Sequence, residues 1–227
     1  VQTGLKIWII PTVIRRTSGS FTVEDIEIPV IWGRITKQVD VKHPSYIKGM
    51  TSKQLVGHLE EPVEVEIKVD NLGSATIDQL SIKDTIPADF KPPRLVDVVV
   101  TINKGGSEIT VPPEMIKITT EPANTDPSVK HDMKIEIFGI AYNLDEPLVR
   151  GEYVTVKYKM TSVDPKPGVT YEFPAEANLY MSADTRPLRI ELSEVPKLET
   201  LEALRKIVKS KEVNPGATEN EYVVIVT

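Results

Sequence analysis

Residues Val63–Asp70 read VEVEIKVD, and that stretch admits one local structure. Val63, Val65, Ile67 and Val69 take every second position, with Glu64, Glu66, Lys68 and Asp70 between them. Strand side chains alternate between two faces, so one face of this segment can leave water while the other stays in it. A helix would scatter the same apolar residues around its axis. Asn71-Leu72-Gly73 follows, and Asn and Gly tolerate positive φ, so the chain is expected to turn there. Leu80 and Ile82 then restart an inward face, and Ile86-Pro87 closes the second strand.

The same alternation recurs along the chain. Thr22–Val41 carries it, with Pro29 and Gly33 marking bulges or an edge position. Leu95–Ile102, Glu108–Val111, Met115–Glu121, Met133–Leu144, Glu152–Met160 and Thr170–Ala183 continue it, with turn material at Lys104-Gly105-Gly106 and Pro147–Gly151. Short strands at short intervals with turns between them predict an all-β fold, a sandwich or a barrel. The 18 prolines outnumber the 12 glycines, which suits stiff connections between many strands. Ile26–Val41 and Tyr171–Arg186 share a Glu-apolar-Pro phrase. They read as an internal repeat or as the chance likeness of two alternating strands.

One segment departs from this pattern. Val195–Lys211 spaces Leu198, Leu201, Leu204 and Val208 along one face of a helix, with Pro196 in the first turn and basic residues in the last. A short amphipathic helix is therefore expected near residues 196–210. It would either pack on a sheet or dock a partner. The chain closes on another strand, Ala217–Thr227, which must pair with an earlier one or begin a further domain. The expected division is 1–48, strands that form the tail of a preceding repeat or an N-terminal donor region; 49–194, the main sandwich; and 195–227, the helix and terminal strand.

Composition excludes several functions. A net charge of −6 disfavours nucleic acid and anionic membranes as partners, since both select a basic face. With no cysteine there is neither a disulfide framework nor a thiolate metal site. No apolar run approaches the ~20 residues of a membrane-spanning helix. The chain starts at Val1 rather than Met, which reads as a processed protein or a piece of a longer one. A Lys- and Glu-rich, cysteine-free composition points to a warm habitat.

Catalytic constellations do not emerge. His43, His58 and His131 stand apart from one another and read as loop or surface residues. No phosphate-cradling or nucleophile-elbow pattern occurs. Trp8 and Trp32 sit in apolar strand patterns and are expected in the core, with a sugar-stacking platform as the alternative. The acidic pairs Glu24-Asp25 and Asp145-Glu146 are calcium candidates at loop ends, set against ordinary solvated charge. No other cofactor is expected, and the chain is expected not to be an enzyme.

The phrase VEIKVDNLGSATIDQLSIKDTIP resembles the Ig-like conserved repeat domains of prokaryotic surface proteins, the DUF11-type or CARDB-like modules. Their pattern is an alternating strand, Asn-x-Gly, a small polar stretch, and a strand ending Asp-x-apolar-Pro. Here these are Val65–Val69, Asn71-Leu72-Gly73, Ser74–Ile77 and Asp84-Thr85-Ile86-Pro87. Leu148–Met160 is similar to the family's late strand, and the resemblance spans Leu59–Ala183. It implies an Ig-like antiparallel β-sandwich acting as a non-catalytic structural module of a cell-surface protein or filament, such as an archaeal S-layer. Such a module would be extracellular and would self-associate or contact neighbouring domains through strand edges. The apolar segment Leu5–Ile14, with Leu5, Ile7, Ile9 and Val13, is the candidate donor strand, because β-augmentation needs an extended apolar terminal segment. The alternative is a binding module, for carbohydrate or as an intracellular adaptor.

Overall fold

A computed structural model describes residues 29–42, 50–56, 61–138, 140, 147–181, 186–201, 211–215 and 222–226. Two antiparallel sheets dominate it. In the first, β1 (Gly33–Val41), β3 (Glu61–Asn71), β10 (Tyr153–Ser162), β6 (Val99–Lys104) and β7 (Ser107–Thr110) lie side by side in that order. The short β5 (Phe90–Lys91) pairs with the end of β10. In the second, the order is β13 (Leu188–Glu191), β12 (Ala175–Tyr180), β4 (Gln79–Ile86), β9 (His131–Ile137) and β8 (Ile116–Glu121). A small third sheet joins β11 (Thr170–Glu172), β14 (Lys197–Thr200) and β2 (Gln54–Leu55), the last two in parallel. The chain ends in a hairpin of β15 (Lys211–Pro215) and β16 (Tyr222–Val226).

The alternation read from β3 holds from Val63 to Val69; Asp70, expected in water, is instead buried and paired with Arg34 and Lys68 at 2.9 Å each. Val63, Val65, Ile67 and Val69 are buried. Glu64, Glu66 and Lys68 point outward into a charge ladder. Glu64 meets Lys42 at 2.6 Å and Lys159 at 3.1 Å, and Glu66 meets Lys157 at 3.4 Å. Opposite charges on facing strands are the favourable cross-strand arrangement. On β4, Leu80, Ile82 and Ile86 face the interior. The inward faces of both sheets share one apolar core with Ile35, Ile102, Ile135, Val156 and Leu179. Two amphipathic sheets facing each other remove both apolar faces from water at once.

The Asn71-Leu72-Gly73 turn works differently from the expectation, because Gly73 does not adopt positive φ. Asn71 is buried; its Nδ2 donates to the Ala75 and Leu148 carbonyls, both at 2.9 Å, and its Oδ1 accepts from the Gly73 N–H. The Leu72 and Gly73 N–H groups both donate to the Trp32 carbonyl. A Cβ on Gly73 would stand 2.1 Å from the Val30 carbonyl oxygen, so glycine is required there by close approach of two backbones. At the β6–β7 hairpin, by contrast, Gly105 (φ 56°) and Gly106 (φ 90°) do supply the left-handed turn.

Further expectations are corrected. Lys197–Thr200, the start of the expected helix, is strand β14, paired with β11; Leu198 faces Tyr171 and is buried. Its leucine spacing fits a helix, but a partner distant in sequence supplies a ladder and an apolar surface instead. Leu201 follows half-buried, its N–H on the Leu55 carbonyl; Leu204 and Val208 lie outside the described residues. The boundary at residue 49 would separate β1 from the sandwich, yet β1 pairs with β3 along its whole length. Trp32 is 54% exposed rather than in the core, because it precedes β1, where its backbone serves the Asn71 turn.

Ile82→Ala is expected to cost about 2–5 kcal/mol by leaving a cavity between the sheets. Gly73→Ala should cost roughly 1–3 kcal/mol by forcing the Val30–Trp32 backbone away. Glu66→Ala should change stability by no more than about 0.5 kcal/mol. Urea unfolding of the three variants checks this order.

Candidate functional site

Three polar residues occupy inward positions where apolar ones would be expected. On β1 the inward series is Ile35, Lys37, Val39, Val41. On β4 it is Leu80, Ile82, Asp84, Ile86, and on β10 it is Val154, Val156, Tyr158, Met160. Lys37 and Tyr158 hang from the first sheet, and Asp84 from the second.

They converge. Lys37 Nζ contacts Asp84 Oδ1, and both side chains are 0% exposed. The Tyr158 hydroxyl donates to Asp84 Oδ2. The carboxylate is thus held at both oxygens by groups from the opposite sheet. The Phe173 ring lies beneath the amine, its centroid 5.6 Å from Nζ. Phe90 packs edge-on against Phe173 at 5.3 Å and against Tyr171 at 5.0 Å, extending an aromatic wall along one side. The Tyr171 hydroxyl donates in turn to Asp89 Oδ2 at 2.9 Å.

A buried charge is tolerated only when paired and hydrogen-bonded. The site meets that condition by contacts across the sandwich. Burial above all, then the Asp84 charge and the hydrogen bond to it, push the Tyr158 phenol well above the ordinary tyrosine value. Tyr158 is therefore a fixed proton donor.

Other buried polar groups tie the chain to itself. The His131 ring is 0% exposed, against the expected surface position. Its Nε2 lies 2.7 Å from the Asp126 carbonyl and its Nδ1 3.3 Å from that of Pro122, because the loop before β9 folds over it. Glu152 accepts from the Lys104 amine at 3.1 Å and from the Gly105 and Val149 N–H groups, joining two turns. Among the described residues no group of three or more His, Cys, Asp or Glu side chains is placed to hold a metal ion. None of their helices is long and apolar enough to cross a membrane.

The residues singled out from the sequence do not build this site. Leu5, Ile7, Ile9, Val13, Glu24, Asp25, Asp145 and Glu146 lie outside the described residues, as do Trp8, His43 and His58. Lys37 and Tyr158 escaped the sequence reading, and Asp84 entered it only as the Asp of a strand-ending motif, although each breaks an apolar stripe in phase. A charged or hydroxyl-bearing residue on the inward phase of a strand is the signal that finds them.

A phenol kept protonated in the fold but free to ionise in the unfolded chain contributes stability that is fully present below about pH 10 and lost as pH climbs towards the folded value. Urea stability should therefore decline above about pH 10. Tyr158→Phe, less stable at neutral pH, should show a shallower decline; equal slopes would place the alkaline loss elsewhere.

No protein-family model matches the chain, and no curated protein matches it. Solved structures do. The chain is similar to the major pilin subunit of Bacillus cereus, with TM-score 0.50 and 11% identity, covering 74% of this chain and 40% of that one. A C-terminal fragment of a major pilin of Streptococcus agalactiae gives TM-score 0.48 and 13% identity over 75% of this chain and 56% of that one. The pilus backbone protein of Streptococcus pneumoniae gives 0.47 and 12% over 85% and 91%. The chain thus spans about half or less of the first two, and the likeness at these identities is one of fold: an Ig-like β-sandwich.

Proposed function

We propose that this chain is a non-catalytic structural module of a prokaryotic cell-surface protein or filament, assembled through strand edges. The observation that carries the reading is an open side of the sandwich. β7 ends the first sheet and β8 the second, each paired on one side among the described residues. All four residues of β7 are exposed. Between these edges runs an apolar groove lined by Val96, Val99, Val111, Ile116 and Ile118. Val96 is 83% exposed. An unpaired edge beside exposed apolar side chains is a template for a further strand. The segment Leu5–Ile14, carrying Leu5, Ile7, Ile9 and Val13, has the composition of such a strand, and a neighbouring copy would supply it. The buried polar groups support the same reading, since they join strand to strand and turn to turn.

Electron microscopy of the purified chain should show filaments or ordered assemblies. Deleting residues 1–14 should leave a folded monomer with an unchanged circular dichroism spectrum and no assemblies. Assembly that survives the deletion, or an intact chain that stays monomeric at every concentration, overturns the reading.

The exposure of Trp32 favours a second reading, a carbohydrate-binding module in which the indole stacks on a sugar ring. Trp32→Ala should then abolish binding on a glycan array without altering assembly.

A further inference from the structure

The Lys37–Asp84 contact places a primary amine against a carboxyl group in a site closed to water. We propose that the two side chains condense, so that the folded protein carries an amide cross-link between Lys37 Nζ and Asp84 Cγ, formed by the chain itself. The proposal stands apart from the assembly reading: a protein that never forms filaments could carry the bond.

Three features of the site favour the reaction. The first is position. Packing holds Nζ on Oδ1, one bond from the carbon it would attack, and a pair so placed reacts as though at an effective concentration of about 10⁵–10⁸ M. The second is the surroundings. Both side chains are 0% exposed, with Phe173 against the amine, so the ion pair is held without the water that would stabilise its charges. Condensation replaces both charges with a neutral amide, and the closed core keeps out the water needed to reverse it. The third is Tyr158, whose hydroxyl already donates to Oδ2, the oxygen that gathers negative charge when the carboxyl carbon becomes tetrahedral.

The step balances without oxidant, metal or cofactor. The Lys37 ammonium passes one proton to Asp84 Oδ1, giving a neutral amine and a carboxylic acid. The Nζ lone pair attacks Cγ, and the Cγ–Oδ2 π electrons move onto Oδ2, where Tyr158 stabilises them. A second proton moves from Nζ to the Oδ1 hydroxyl. The Cγ–Oδ1 bond breaks as the Cγ–Oδ2 double bond reforms, and one water leaves. The amide carbonyl is Oδ2, still accepting from Tyr158, and the remaining N–H lies against the Phe173 ring. Tyr158 is a positioning and oxyanion-stabilising group and gives up no proton in the net change.

The bond would join β1 of one sheet to β4 of the other, across residues 47 apart in sequence. It would hold the sheets together when force is applied to the chain, as a strand clamped by hydrogen bonds alone would not.

Intact-mass spectrometry of the full chain, purified folded and then denatured, decides the matter. The wild-type chain should be lighter than its sequence by one water. A protease digest should yield a branched peptide containing both Lys37 and Asp84. Lys37→Met and Asp84→Ala, analysed in the same way, should carry their full sequence masses; the mass reads bond formation even if a variant is unstable. Tyr158→Phe should form the bond more slowly, giving a mixture of the two masses that shifts with time. A folded wild-type chain at full mass overturns the proposal. So does a water loss that persists in Lys37→Met, which would place the dehydration elsewhere.

Discussion

A strand with two unlike faces can be buried on only one of them, and this sandwich satisfies that condition on the central strands of two sheets together. The side-chain period in a strand is two, so slipping β3 by one residue would put Glu64, Glu66 and Lys68 inside and expose Val63, Val65 and Ile67. The outward charge ladder reinforces the choice, since a one-residue slip would turn Glu64 and Glu66 away from Lys42, Lys157 and Lys159. The inward set then has to find a second apolar face, and β4, β9 and β12 provide it. The position of the buried polar trio follows from this. Lys37, Tyr158 and Asp84 meet because their strands keep phase and the two sheets face each other.

The connection after β3 shows how a short phrase can organise distant chain. Asn71 leads as a buried residue whose amide bridges its own turn and the Leu148 carbonyl near β10. Gly73 lets the Val30–Trp32 backbone run against the turn, and Trp32 supplies a carbonyl to two of its N–H groups. A side chain on residue 73 would push that backbone away, so the Asn-x-Gly spacing couples the entry to β1 with the exit from β3. The exposure of the Trp32 ring follows from the same geometry: the residue is placed by its backbone.

The molecule is unequal from side to side. The interior is tied across by charge, hydroxyl and aromatic contacts, and the turns are tied by Glu152 and His131. On the side where β7 and β8 end the sheets, strand edges and apolar side chains face outward together. Under the proposed structural role, that flank is where a further strand would add.

By itself the sequence determined the fold class and the faces of the main strands, because period-two alternation is a local property that a single segment displays in full. Val63–Val69, Leu80–Ile86 and the Gly105-Gly106 hairpin turn were legible in this way. It misread Lys197–Thr200, where helical spacing was outweighed by pairing with β11, a partner that local spacing cannot reveal. It placed His131 at the surface, whereas the preceding loop closes over the ring. Lys37, Asp84 and Tyr158 were each visible as breaks in an apolar stripe, but no stretch of sequence says which break faces which. That depended on strand order and on the stacking of one sheet over the other, and only the tertiary structure decided that an amine, a carboxyl group and a phenol share one dry site.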